Sequence, residues 1–264
     1  MLVNLAAAAG LLLGHPPPES AAAQSKADWP DGEERWFLAG RFDAGLILKA
    51  SAYVGYGQPF WMWAGLQAAA TGATDFFTVS TGIRLSLPIL EFTAEYRRTE
   101  PYLRGPLPVK DSYDSHDLGD TRREGYDAID LDLWGVVPLP YSYIFAEVTA
   151  TWLPDRKRRY EESLRAVVDG WCGAARGAIG ARIGDDGWVR IGMLAEVVVS
   201  ERPALPGVRI GPSLQLVFGP STDLVLAGLW PVSGEDDFEP IDAVTGAVAL
   251  RWRLTTGGPD ISFP

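Results

Sequence analysis

Residues 126–152 read YDAIDLDLWGVVPLPYSYIFAEVTATW, and their two-residue period constrains the chain more than any other feature. In the first half Ile129, Leu131 and Leu133 share a face opposite Asp130 and Asp132. In the second half Ile144, Ala146, Val148, Ala150 and Trp152 oppose Tyr143, Phe145, Glu147, Thr149 and Thr151. Successive side chains of a strand point to opposite faces, so this alternation marks strands with two unlike sides. A tight turn at Pro138, Leu139 and Pro140 joins them into a hairpin. Both runs exceed the roughly five or six residues usual for strands of globular proteins. They match the ~9–11 residues a tilted strand needs to cross a bilayer.

The same pattern recurs along the chain. From Trp36 one face carries Trp36, Leu38, Gly40, Phe42, Ala44, Leu46 and Leu48, and the other Arg41, Asp43 and Lys49. Turn signals follow at 53–59, and 60–69 is an aromatic strand with Trp61, Trp63 and one polar side chain, Gln67. Residues 75–86 and 89–98 alternate cleanly, the second setting Glu91, Glu95 and Arg97 against Leu90, Phe92 and Tyr96. Residues 99–125 have no period and read as a large exposed loop, and 154–162 as a charged loop. Strands at 171–183 and 188–200 flank the turn residues Asp185, Asp186 and Gly187. A hairpin over 208–231, an acidic loop at 234–242 and a last strand at 244–254 complete the chain.

Closed antiparallel barrels of this type normally have an even number of strands. Eleven runs can be counted, so the expectation is twelve, with ten as the alternative, and the ambiguity lies in 36–59. Short turns (87–88, 138–140, 185–187, 220–222) alternate with long loops (99–125, 153–167, 201–206, 232–242), as expected of a barrel with one short-turned rim. The fold class is therefore all-β: a closed, up-and-down transmembrane β-barrel over 36–254. Residues 1–24 read as a signal peptide, with a short apolar core and Ala21, Ala22 and Ala23 before cleavage. Residues 25–35 form a flexible lead-in and 255–264 a C-terminal tail.

A soluble barrel binding a small apolar ligand would show the same alternation with the faces reversed. Tryptophan placement favours the membrane: Trp36, Trp61, Trp134, Trp152, Trp188, Trp230 and Trp252 lie at or near strand ends, where interfacial anchors belong. No apolar run reaches the ~18 residues of a transmembrane helix. The net charge of −11 excludes a general nucleic-acid binder. Cys172 is the only cysteine, so no internal disulfide forms.

Leader, amphipathic strands, short turns against long loops and an aromatic-bearing final strand together resemble bacterial outer-membrane β-barrel proteins. Stretches such as Ala39-Gly40-Arg41-Phe42-Asp43 and Gly55-Tyr56-Gly57-Gln58-Pro59 look like those of uncharacterised members. The resemblance implies residence in the outer membrane of a Gram-negative-type envelope, a lipid-bilayer partner and insertion by the barrel-assembly machinery. Members usually end on a terminal strand closing with an aromatic residue. Here Leu250, Trp252 and Leu254 alternate as required, but residues 255–264 follow.

With the polar faces inside, the lumen is lined by the acids Asp43, Glu91, Glu95, Asp130, Asp132, Glu147 and Glu196. Its bases are Arg41, Lys49, Arg84, Arg97, Arg176, Arg182, Arg190, Arg209, Arg251 and Arg253. Acids concentrate on 89–98, 126–137 and 142–152, bases on 171–183, 188–200 and 244–254, so walls of opposite sign face one another. That pattern suits a narrow channel for small, anionic solutes; a lumen plugged by its own ion pairs gives a structural envelope barrel instead. A lipid hydrolase or deacylase is the third reading, and it needs a base. His116, beside Ser112, Ser115 and Asp117, is the one candidate, although catalytic triads come from separate elements. Asp111, Asp114, Asp117 and Asp120 lack the spacing of a known calcium loop. The sequence calls for no cofactor and no metal.

Overall fold

The computed structural model describes residues 34–255 apart from 59–61, 103, 120–122, 140, 185–187, 203–204, 220, 235, 237 and 239–243. The expected signal peptide, most of the lead-in, Trp61 and nearly all of the C-terminal tail lie outside the described residues.

Fourteen strands form in chain order. They are β1 (Arg35–Gly45), β2 (Leu48–Gln58), β3 (Met62–Gly72), β4 (Phe76–Ser86), β5 (Leu90–Pro101), β6 (Tyr126–Pro138) and β7 (Ser142–Trp152). There follow β8 (Arg159–Glu161), β9 (Ala166–Val168), β10 (Trp171–Ile183), β11 (Val189–Ser200), β12 (Gly207–Val217), β13 (Thr222–Ser233) and β14 (Thr245–Thr255). Twelve of them close an antiparallel barrel in which each strand pairs with its neighbour in sequence; β10 takes β7 as partner, and β8 and β9 form a separate two-stranded sheet. Pairing of β1 with β14, from Ala39 opposite Thr255 to Gly45 opposite Ala249, closes the ring.

The twelfth strand comes from residues 36–59. Gly45 ends β1 and Leu48 begins β2, so Leu46 and Ile47 form the turn. Both are apolar, and alternation runs through them without a break. Gly45 admits this turn because its backbone meets the Val248 carbonyl, a position a Cβ would occupy.

The barrel strands are 11 to 13 residues long. Their outward side chains are apolar and exposed, among them Leu38, Val54, Leu66, Ile83, Phe92, Leu131, Val148, Ile191 and Val248. Inward side chains of these strands include most of the buried arginines and carboxylates among the described residues. This is the inverse of a water-soluble protein. A continuous apolar exterior around a charged interior is stable only where lipid replaces water on the outside, and closure leaves no strand edge unsatisfied there. The soluble-barrel alternative is thereby overturned.

Polar groups mark one border of the apolar belt on β5 and β6, where Tyr96 donates to Asp127 at 2.6 Å and Arg98 pairs with Asp127 and Glu100. Trp36, Trp152, Trp188 and Trp230 are exposed, and Trp252 stacks on Phe42 across the closing seam at 5.9 Å. Trp171, paired with Trp152, adds a further exposed indole. Trp134 breaks the expectation of an interfacial anchor. It is 3 % exposed and points inward, donating from Nε1 to Glu91 at 2.7 Å. Its parity is the reason: it lies two and four positions from the inward Asp132 and Asp130.

Following the strands, the β1–β2, β3–β4, β5–β6, β7–β10, β11–β12 and β13–β14 connections leave from one rim. The β2–β3, β4–β5, β6–β7, β10–β11 and β12–β13 connections leave from the other, where β1 begins and β14 ends. Two of the long loops bury apolar residues at the barrel mouth. Residues 153–170 fold as the β8–β9 hairpin into the barrel mouth, where Leu153, Leu164 and Val168 pack on Tyr126, Ala128, Cys172, Ala174 and Val198 of the inner wall. Residues 102–125 then cover the hairpin, with Leu107, Tyr113 and Leu118 on Tyr160 and Val167. The first loop was expected to be exposed, as residues 108–112 are, and 154–162 to be a charged loop; apolar residues scattered in both segments bury against inward-facing apolar positions that sequence alone does not pair.

Candidate functional site

The barrel interior is built in three layers. Nearest the short-turn rim, Phe37, Tyr53 and Trp63 cluster edge to face. Gly55 makes the room, since a Cβ there would meet the Trp63 ring. Arg84 lies over Tyr53 and Trp63 at 5.2 and 5.7 Å and donates to Glu91 at 2.6 Å. Trp134 shares Glu91 and approaches Phe145. On the far side of this layer Arg182 stands opposite Arg190, which donates to Gln215 at 3.4 Å.

Charge dominates the middle layer. Arg97 grips Asp130 with two donors at 2.6 and 3.2 Å, and Asp130 also accepts from Thr151. Asp132 accepts from Thr149 at 2.6 Å and has no ion pair among the described residues. Gln67 donates to Glu95. Arg176 joins Glu147 at 3.0 Å and Glu196 at 2.5 Å, and Arg209 joins Glu196 at 2.6 Å. On β13, β14 and β1, Arg251 and Arg253 share Asp223, and Arg41 pairs with Asp43 at 2.9 Å. Asp223 is fully buried and is a functional candidate that reading the strand from Leu224 missed; it is the first inward position of β13.

The seven acids and ten bases placed inside by the sequence lie at inward positions of the strands, and most of them pair with a neighbour of opposite sign. In the closed ring β6 lies six strands from β14 in either direction. Asp130 and Asp132 sit near the middle of β6, and Arg251 and Arg253 in the second half of β14. Glu95 extends the acidic wall onto β5, and Arg41 the basic wall onto β1.

Most inward charges are buried below a tenth of their surface, but one sector is more open. Lys49, Ser51, Ala69, Ser80, Gly82 and Glu95 are half-buried, inward and adjacent through the register of β2 to β5. Lys49 has no ion pair among the described residues.

The third layer is the hairpin. Arg97 reaches Glu161 at 3.1 Å, Arg209 donates to the Leu164 carbonyl at 2.8 Å and to that of Arg165 at 2.5 Å, and Arg104 of the covering loop pairs with Glu162 at 2.8 Å. Burial pushes the Glu162 carboxyl up to about 8 despite the Arg104 guanidinium beside it. His116 is exposed in the 102–125 loop. Its neighbour Asp117 accepts from the Asp114 amide and pairs with Lys110, which lowers its pKa. These are turn-closing contacts. No cluster of three or more potential metal ligands occurs among the described residues.

No family model matches the chain, and no curated protein matches it. Among solved structures it is similar to the KdgM porin in complex with disordered oligogalacturonate, at 7 % identity and TM-score 0.40 over 83 % of this chain and 97 % of that one. The outer-membrane protein Omp33 of Acinetobacter baumannii gives 11 % and 0.38 over 85 % and 99 %. The COG4313 outer-membrane channel of Pseudomonas putida F1 gives 10 % and 0.42 over 87 % and 97 %. These are barrels of outer membranes. The architecture of this chain stands on its own strand pairing, and its function on its own interior.

Proposed function

We propose that the protein is a narrow channel of the outer membrane for small anionic solutes, closed by the β8–β9 hairpin in the conformation described. The observation that carries this is the charge left over once the interior pairs locally, as Arg84 does with Glu91, Arg97 with Asp130 and Arg176 with Glu147 and Glu196. Three arginines, Arg41, Arg251 and Arg253, share two carboxylates on one wall, whereas Asp132 and Glu95 on the other have no ion pair among the described residues. A plug whose role was neutralisation would leave no such remainder. Leftover charges of opposite sign on facing walls set up a field across the lumen, and solutes are selected where such charges line a constriction. Half-buried Lys49 and the excess of inward bases over inward acids favour anions. Apolar exterior, bordering indoles and rims of unequal loop length support outer-membrane residence after export, with the short-turn rim periplasmic.

Planar-bilayer recording tests the reading. The expected result is stepwise conductance whose anion preference falls in the Arg251→Ala, Arg253→Ala double variant. Unchanged selectivity in that variant would remove the basic wall from the pathway. A second reading, a structural barrel, draws on the aromatic layer of Phe37, Tyr53 and Trp63; silence at all salts and voltages, with the hairpin present or removed, would establish it.

A further inference from the structure

The strands of the β8–β9 hairpin are only 3 residues long each. A two-stranded hairpin of that size does not hold its shape alone; a third strand or packing on another element is needed. Here the third strand comes from the loop between β5 and β6. Pro106 forms an antiparallel bridge with Arg159, and the Leu107 amide donates to the Arg158 carbonyl at 2.7 Å. The Arg158 side chain ties the same pieces together. It donates to Asp169 at 2.6 Å, to the Lys110 carbonyl at 2.9 Å and to the Tyr113 hydroxyl at 3.2 Å. Arg104 pairs with Glu162 at 2.8 Å and lies over the Tyr160 ring at 4.5 Å. Leu107, Tyr113 and Leu118 of the loop share one apolar cluster with Tyr160 and Val167 of the hairpin. A different set of side chains, Leu164 and Val168 among them, meets the barrel wall. The hairpin therefore has two faces, one given to the loop and one to the barrel.

We propose that the hairpin and residues 104–118 form one plug, which enters and leaves the barrel mouth as a single cooperative unit. Proteins open locally in contiguous units of this kind, and every amide in a unit is exposed by the same opening. Loosening the outer loop therefore frees the hairpin, although the side chains altered lie away from the lumen wall. The plug's role as a gate rests on the channel reading above; its unity does not.

Hydrogen exchange of the full-length protein in detergent micelles, read by mass spectrometry at one pH, tests the unit. Tyr113→Ala cuts the face between loop and hairpin, and Leu164→Ala the face between hairpin and wall. Each is expected to quicken the protected amides of 104–118 and of 159–168 by the same factor, about tenfold or more, with the barrel strands unchanged. Faster exchange confined to 104–118 in Tyr113→Ala, or to 159–168 in Leu164→Ala, would overturn the proposal. In planar bilayers Tyr113→Ala is expected to lengthen the time spent open. Coupled exchange without conductance would uphold the unit and contradict the channel reading instead.

Discussion

Replacing Arg176 by methionine measures how firmly interior charge holds the barrel. Arg176 is 5 % exposed and stands between carboxylates on both neighbouring strands, 3.0 Å from Glu147 on β7 and 2.5 Å from Glu196 on β11. At these separations and an effective dielectric constant near 20, each attraction is on the order of 5 kcal/mol before desolvation is charged against it. Glu196 keeps Arg209 after the substitution, whereas Glu147 loses this ion pair and stays buried. Breaking one buried pair in this way costs about 3–5 kcal/mol. The outward pair Arg98 and Asp127 has a similar separation, 3.3 Å, but both side chains are about 40 % exposed. Arg98→Met should therefore cost no more than about 1 kcal/mol. Urea unfolding of the protein refolded into phospholipid vesicles, followed by tryptophan fluorescence, gives both values. Adding Glu147→Leu to Arg176→Met should recover much of the loss, because the pair is then replaced and not broken. A loss of less than about 1 kcal/mol for Arg176→Met, indistinguishable from Arg98→Met, would refute a dry, paired interior.

Trp134 supplies a second test: in single-tryptophan variants brominated lipid should quench Trp152 strongly and Trp134 hardly at all, and equal quenching would return Trp134 to the lipid face. Leu131→Arg places a charge on the outward face near mid-strand and should destabilise the barrel by about 2–4 kcal/mol, against near-neutrality for an aqueous surface. Glu162, in the hairpin and outside the spanning strands, gives a pH dependence. Burial raises its folded pKa to about 8, above the roughly 4.3 of an unfolded glutamate. The docked hairpin thus holds a proton that the undocked chain releases, so docking weakens as pH rises between those values and is fully weakened above 8. Hydrogen exchange over 159–168 should quicken from pH 5 to pH 8 once corrected for intrinsic rates, and Glu162→Gln should flatten that change.

The barrel was legible in the sequence because alternation is a local property and each long strand carries its own record of it. Reading failed where alternation was absent or where residue type was weighed above parity. The Gly45-Leu46-Ile47 turn is apolar and lacks a polar break, so two strands read as one. The three-residue strands β8 and β9 are too short to show a period, and their docking depends on Ala128, Cys172, Ala174 and Val198, contributed by three other strands. Those apolar residues on otherwise polar faces are the signal that something covers the inner wall. Trp134 was assigned by its closeness to a strand end, although its spacing from Asp130 and Asp132 already turned it inward. Which side chains turn inward could be read from parity; which arginine meets which carboxylate could not, because that depends on barrel register.

Conductance of the protein with residues 157–167 replaced by a short glycine-serine linker tests the central claim, a charged lumen crossing the membrane beneath a docked hairpin. The account predicts that the wild-type barrel opens rarely or to a small step, and that the shortened barrel conducts continuously with anion preference. Equal, vanishing conductance in both, from protein that retains heat-modifiable migration, would contradict it.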